Sequence, residues 1–289
     1  MILDVVMLRF IKKPYKSFLF LFSLPILLGD FFNRKTGKEY GIGFFTKLGL
    51  VFKMIMNDLK IPTASFFMEH LMMATRIMEV PKNKEGIVIE CGTYKGGSAA
   101  NLSLVCALCQ RQLHIFDSFE GLPEPGEYDR SHSVLRFKEN HAYQKGAWYG
   151  SLEEVKSNIK KYGKPGVCVF HQGYFKDTLP DFKEKSVFIF LDVDLRESLE
   201  ECVGFLWINL QDNCCLYTHE ASQLLIASLF FDKQWWSNLG FTPPGLIGAG
   251  TGLGLIPEAH GFKSSLGYTI KNPQTKNYKE VLQIGESFK

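Results

Sequence analysis

Five apolar runs, each ending on a polar or acidic residue, constrain this chain more than any other feature. They are residues 86–90 (G-I-V-I-E), 113–117 (L-H-I-F-D), 167–171 (V-C-V-F-H), 186–192 (S-V-F-I-F-L-D) and 214–220 (C-C-L-Y-T-H-E). Each is short and continuous rather than alternating, which is the pattern of a strand covered on both faces. Helix-like segments separate them: one follows the first run from Ser98, one spans about 197–210, and one opens at Ser151 and ends near Gly163. The Ser151 helix begins S-L-E-E, a capping box in which Ser151 and Glu154 each satisfy an exposed backbone N–H. Strands alternating with helices predict an α/β fold, a doubly wound, Rossmann-like, mostly parallel sheet covered on both faces.

In such a sheet a ligand sits outside the carboxyl ends of the strands, and the first strand-turn-helix is its usual cradle. Here that turn reads E-C-G-T-Y-K-G-G-S over residues 90–98. Glycines allow positive φ and close approach of the backbone. A dinucleotide turn would be G-x-G-x-x-G, aimed at a pyrophosphate. Glu90 stands where its first glycine would be and would repel phosphate. A carboxylate there suits a ligand that carries positive charge, and S-adenosylmethionine carries a sulfonium and an ammonium. Its ribose hydroxyls need a second acceptor after the next strand, and that strand ends on Asp117.

The bulk numbers exclude other classes. With 289 residues, 46% of them hydrophobic, the chain can bury a large core. A net charge of +3, with no clustered Lys/Arg and interleaved aromatics, excludes a nucleic-acid partner. Seven irregularly spaced cysteines, mostly inside predicted strands and helices, read as reduced core thiols of a cytoplasmic protein. Cys106 and Cys109 form a C-x-x-C at helical spacing without a second pair, so two buried thiols are expected rather than zinc. The C-terminal glycine cluster around Gly248, Gly250 and Gly252 lacks a suitable strand before it and a helix after it. It reads as a turn between two late strands, against a nicotinamide oxidoreductase.

Longer motifs carry a family resemblance. The first turn resembles that of class I methyltransferases, and three further stretches are similar to the macrocin O-methyltransferase family: D-S-F-E-G-L-P from Asp117, G-Y-F-K-D-T-L-P from Gly173 and L-D-V-D-L-R-E-S from Leu191. The four motifs stand in the family's order and cover about residues 60–255. The resemblance implies a seven-stranded class I methyltransferase fold, S-adenosylmethionine as cofactor, and methylation of a hydroxyl on a sugar or other natural product. It implies that Glu90 and Gly92 line the methionine part of the cofactor and that Tyr94 and Ser98 hold its carboxylate end. Asp117 would take the ribose hydroxyls, Gly173 with Tyr174 and Phe175 would lie at the adenine, and Gly96 and Ser118 would belong to the same cofactor site.

The family also implies a divalent cation, held by an aspartate after the fourth strand and an acidic pair after the fifth. Asp192 matches the first position, with Asp194 two residues on. At the second this chain has His219 and Glu220. Glu220 remains a hard oxygen ligand for magnesium, whereas an imidazole suits manganese, iron or zinc better. His219 is alternatively the general base, since its ordinary pKa lies near working pH. The expected site is therefore Asp192 and His219 as catalytic residues, with Asp192, His219 and Glu220 as metal ligands.

Two regions fall outside the motifs. Residues 121–150 carry prolines, His132, His141 and Trp148 without periodicity and read as a lid over the methyltransferase domain, 61–289. Residues 1–60 read as a helical extension. Within it, residues 18–28 form an apolar run after Lys12, Lys13 and Lys16, without a cleavage site and short of the roughly 20 residues that span a bilayer. Packing on the domain or on a second copy in a homodimer is favoured over peripheral membrane contact. Two rival functions stay open: a metal-independent or non-catalytic relative, suggested by His219, and a membrane-surface or assembly module, suggested by the apolar run.

Overall fold

The computed structural model describes residues 28–127, 129, 132–133, 140–141, 143–248 and 264–272. Seven strands form one sheet: β1 (Ile87–Cys91), β2 (Leu113–Asp117), β3 (Cys168–Gln172), β4 (Ser186–Leu191), β5 (Leu210–Thr218), β6 (Ile247–Gly248) and β7 (Gly267–Ile270). Their order is β3-β2-β1-β4-β5-β7-β6. The first five run parallel, and β7 lies antiparallel between β5 and β6. The chain walks outward from β1 to β3 and then crosses back to β4, so a crevice opens where β1 and β4 diverge at their carboxyl ends.

Register sets the site. Cys91 lies beside Leu191 and Leu191 beside Thr218. Past the strand ends the Asp192 N–H still donates to the Cys91 carbonyl and the His219 N–H to the Leu191 carbonyl, both at 2.9 Å. Gly92, Asp192 and His219 therefore leave the sheet at one level.

The helices are α1 (Phe44–Asp58), α2 (Phe67–Glu79), α3 (Gly97–Leu108), α4 (Leu152–Tyr162), α5 (Phe175–Thr178), α6 (Arg196–Leu206), α7 (Leu224–Leu229) and α8 (Lys233–Asn238). Two core clusters show why the central runs β1 and β4 are apolar up to their ends. Val88, Phe188 and Phe190 join one with residues of α1 to α4, whereas Ile87, Ile89, Val187 and Ile189 join the other with residues of α6 to α8. Successive strand residues point to opposite faces, and both faces are buried. Leu50 and Met54 of α1 belong to the first cluster, so that helix packs into the same core as α2 and α3. The Asn57 amide at the end of α1 also donates to Asn101 of α3 at 2.8 Å.

Some boundaries differ from the sequence reading. β5 begins at Leu210 rather than Cys214, and α6 ends at Leu206 because the chain turns through Trp207 before entering β5. Only half of the S-L-E-E box forms as expected. Ser151 Oγ accepts the Glu154 N–H at 3.2 Å, while the Glu154 carboxylate is drawn off to Lys95 at 3.0 Å. All seven cysteines are free, and Cys106 and Cys109 are buried.

The insertion is closed at its base: the Leu122 N–H donates to the Ala147 carbonyl and the Gly146 N–H to the Leu122 carbonyl, both at 2.9 Å. Farther out, Asp129 accepts the Arg196 N–H at 2.8 Å and so caps α6, and His132–Ser133 pairs antiparallel with Asn140–His141. Residues 18–27 of the N-terminal apolar run, and Gly250 and Gly252 of the late glycine cluster, lie outside the described residues. Among the described residues no helix is long and apolar enough to cross a membrane.

Candidate functional site

The crevice between β1 and β4 holds a cavity of about 530 Å³, within the range of small-molecule sites. Gly92 and Tyr94 line it from the β1 turn, Asp117 and Ser118 from the end of β2, and Gly173 to Phe175 from the end of β3. Asp192 to Leu195 follow β4, and His219 with Glu220 follows β5; Leu122 and Trp148 of the insertion close the near side. Trp148 meets the Tyr94 ring edge to face, with centroids 5.6 Å apart.

Behind the first turn lies Glu90, fully buried at the end of β1. Thr93 Oγ1 lies 3.5 Å from Oε2 of the Glu90 carboxylate. Oε1 has no hydrogen-bond partner. Burial pushes the Glu90 carboxyl up to about 8; Ser98 opposes the shift, and the negative charges of Asp192 and Asp117 add to it. A buried acid with an unpaired oxygen is the environment that a cation relieves, so the donor chemistry fits a sulfonium or ammonium ligand.

Asp117 performs structural work as well. Its two oxygens accept the Thr93 N–H and the Phe119 N–H, each at 2.7 Å, which ties the β1 turn to the β2 turn. Ser118 likewise turns inward and donates to the Gly121 carbonyl at 2.8 Å. The glycines are required by packing. A β-carbon on Gly92, where φ is 81°, would overlap the Asp192 carbonyl, and one on Gly96 would press on Val155 at 3.0 Å.

Acids converge where β4 and β5 end. His219 Nδ1 lies 3.4 Å from Asp192 Oδ1 and 3.6 Å from Glu220 Oε1, and its Nε2 lies 3.3 Å from Glu69 Oε2. Burial opposes charge on the imidazole, but the Asp192 and Glu69 carboxylates outweigh it and hold His219 well above its ordinary range. Burial likewise opposes the Asp192 charge, and the neighbouring imidazole more than reverses that, holding Asp192 low. Glu220 is pushed well up, first by burial and then by the charges of Asp192 and Asp194, against the pull of His219. Its Oε1 also lacks a hydrogen-bond partner. One ligand atom each from Asp192, His219 and Glu220 lies within 4.8 Å of the others. Two carboxylates and an imidazole nitrogen facing one point form a donor set that fits a divalent cation.

A methyltransferase-type sheet, a glycine turn opening on a carboxylate and an acid cluster at the switch point meet in one crevice. Residues 67–215 match the family described as Macrocin-O-methyltransferase (TylF). The chain belongs to the macrocin O-methyltransferase family. Over 123 residues it is 36% identical to an 8-demethyl-8-(2,3-dimethoxy-alpha-L-rhamnosyl)-tetracenomycin-C 4'-O-methyltransferase of Streptomyces olivaceus, covering 41% of this chain and 46% of that relative. The match thus spans less than half of that relative's length. Among solved structures, the O-methyltransferase NovP is similar, with a TM-score of 0.59 and 16% identity over 78% of this chain and 97% of its own. That likeness shows the fold.

For a macrocin O-methyltransferase family member, the expected site residues are placed unevenly. Gly92, Tyr94, Asp117, Ser118, Gly173, Phe175, Asp192, His219 and Glu220 line one cavity. Glu90 and Ser98 stand behind it, and Gly96 faces α4. Sequence reasoning missed Glu69 on α2, whose contact with His219 spans 150 positions, and Ser264, whose hydroxyl donates to Glu69 Oε1 at 2.7 Å. It also missed Gln223, which donates to the Tyr143 hydroxyl of the insertion at 2.9 Å. None of these sits in a motif; an acid on the largely buried α2 was the one available signal.

Proposed function

We propose that this chain transfers a methyl group from S-adenosylmethionine to a hydroxyl of a sugar or similar natural product, assisted by a divalent cation. The observation that carries this reading is the convergence of Asp192, His219 and Glu220 in the cavity that the Gly92 turn also lines. Family membership supports the chemistry, and the named relative, which acts on a rhamnosyl group by its description, supports the acceptor class.

In this reading Glu90 offers its unpaired oxygen toward the positive charge of the cofactor, and Asp117 keeps lone pairs for the ribose beyond its two backbone hydrogen bonds. Tyr94 and Ser98 would serve the carboxylate end, and Gly173 with Phe175 the adenine. Asp192, His219 and Glu220 would hold the cation, which supplies a lowered hydroxyl pKa and a fixed oxygen position. Magnesium or manganese is the expected ion. Trp148 and Leu122 exclude water from the near side of the cavity. The acceptor proton would pass to the acid cluster around Asp192.

A metal-independent reading would give His219 the role of general base. The Asp192 and Glu69 carboxylates count against it, because in the cation-free site they favour the protonated ring; the Nδ1 lone pair would go to a cation held there in the proton's place. Calorimetric titration with S-adenosylmethionine, followed by methylation assays with a chelator and with added magnesium or manganese, tests both. Binding weakened by Glu90→Ala together with activity lost to chelator is the expected result. Absence of cofactor binding overturns the methyltransferase reading, and activity indifferent to chelator overturns the metal.

A further inference from the structure

Glu69 lies in the first turn of α2, outside every strand end and outside the glycine turn. Its side chain is almost wholly buried, and three partners from separate parts of the chain fix its carboxylate. Oε2 accepts the Phe66 N–H at 3.1 Å and faces His219 Nε2 at 3.3 Å, while Oε1 accepts the Ser264 hydroxyl at 2.7 Å. The helix that carries it is anchored in turn. The Phe67 N–H donates to Asp58, and the neighbouring His70 ring lies 2.8 Å from Ser65 Oγ and 2.7 Å from Asn101 Nδ2 of α3.

We propose that Glu69 is a positioning residue that binds His219 through Nε2–H and so presents Nδ1 to Asp192 and Glu220. The proposal rests on reading that cluster as the reacting end of the site. A neutral imidazole has one lone pair and two tautomers, and a ring free to rotate can turn an N–H toward the two acids. In the neutral ring that a cation would require, Nε2–H held by Glu69 leaves the lone pair on Nδ1, the nitrogen that stands 3.4 and 3.6 Å from the acids. A carboxylate behind a ligating histidine fixes its orientation and raises its basicity in the same manner. The N-terminal helices thereby complete the site that the sheet begins: α2 supplies the orienting group, and α1 holds α2 through Asp58.

The test uses the full chain and Glu69→Gln, which keeps the size of the side chain. The readouts are manganese affinity by paramagnetic resonance, cofactor affinity by calorimetry, kcat and KM, and the His219 ring nitrogen shifts from long-range proton–nitrogen spectra. The expected result is unchanged cofactor affinity and cofactor KM, altered ring shifts, and manganese affinity and kcat each lowered by roughly 10- to 100-fold. Glu69→Asp, which keeps the charge, should recover part of the loss, and Ser264→Ala should show a smaller loss in the same direction. Wild-type ring shifts, metal affinity and kcat in Glu69→Gln overturn the proposal. So does a fall in thermal stability that carries cofactor affinity down in parallel. If the wild type binds cofactor but no manganese, the metal reading fails and the ring shifts with kcat decide the role of Glu69. If it binds no cofactor, the methyltransferase reading fails and the ring shifts alone decide.

Discussion

Gly92 and Asp192 meet backbone to backbone: a β-carbon on Gly92 would lie 2.9 Å from the carbonyl carbon of Asp192 and closer still to its oxygen. The first glycine of the turn is thus the gap through which the β4 chain carries Asp192 into the crevice. With φ at 81°, the position is costly for any side chain on conformational grounds as well. Gly92→Ala should lower stability by about 1–3 kcal/mol and weaken both cofactor and metal binding, because displacing either strand end moves both subsites. Denaturant unfolding and two separate titrations check this; loss of one subsite alone would contradict it.

Glu90 should make the ligand-free protein pH-sensitive. Its folded value of about 8 stands above its ordinary 4.5, so between those values the folded chain keeps a proton that the unfolded chain has released. Stability from this group is full below pH 4.5 and falls as pH rises toward 8. Glu90→Gln should flatten that slope and raise the melting temperature at pH 8.5 while leaving it near wild type at pH 4. Binding of a cationic cofactor at pH 7 should release up to one proton in the wild type and fewer in Glu90→Gln. Calorimetry in buffers of different ionisation enthalpy reads that number.

Asp117 joins two turns and faces the cavity, so its variants should separate architecture from binding. Asp117→Ala leaves the Thr93 and Phe119 N–H groups without their acceptor, at a cost of about 1–3 kcal/mol for each that stays dry, and cofactor affinity falls with it. Asp117→Asn keeps one side-chain oxygen and should lose less on both counts. Thermal unfolding alongside calorimetric titration distinguishes them.

The acid cluster predicts how metal binding and stability trade against each other. Without a cation the buried Glu220 carboxyl is pushed toward its neutral form by burial and by Asp192, so loading the site should displace protons. Manganese binding should strengthen as pH rises from 6 to 8. His219→Ala removes the nitrogen donor and the group that keeps Asp192 ionised, and should lower manganese affinity by roughly tenfold or more. Titration of manganese into both proteins across that pH range provides the check.

The sheet was readable because two-sided burial leaves a direct trace. Val88 and Phe188 fill one core while Ile87 and Val187 fill the other, so these two runs stay apolar up to their acidic ends. Residues 192, 219 and 220 were readable as a group because they follow strand ends, where parallel register brings distant positions to one level. Glu69 was not, since an acid in a helical segment carries no mark of a histidine 150 positions away. The glycines were legible as a turn but not in their reasons: Gly92 and Gly96 read as room for a ligand, yet what crowds them is the Asp192 carbonyl and Val155. The strand boundary at Leu210 was missed because Q-D-N after it is half-buried to exposed and lies in an irregular stretch, the ladder with β4 resuming at Cys215.

The base of the insertion divides main-chain from side-chain work. Leu122 pairs with Gly146 and Ala147 by backbone hydrogen bonds, and Gly150 lies against the Tyr94 carbonyl, with no room for a side chain. Main-chain groups thus fix where the segment leaves and rejoins the fold, and side chains inside it, Asp129 and Tyr143, reach out to α6 and to Gln223.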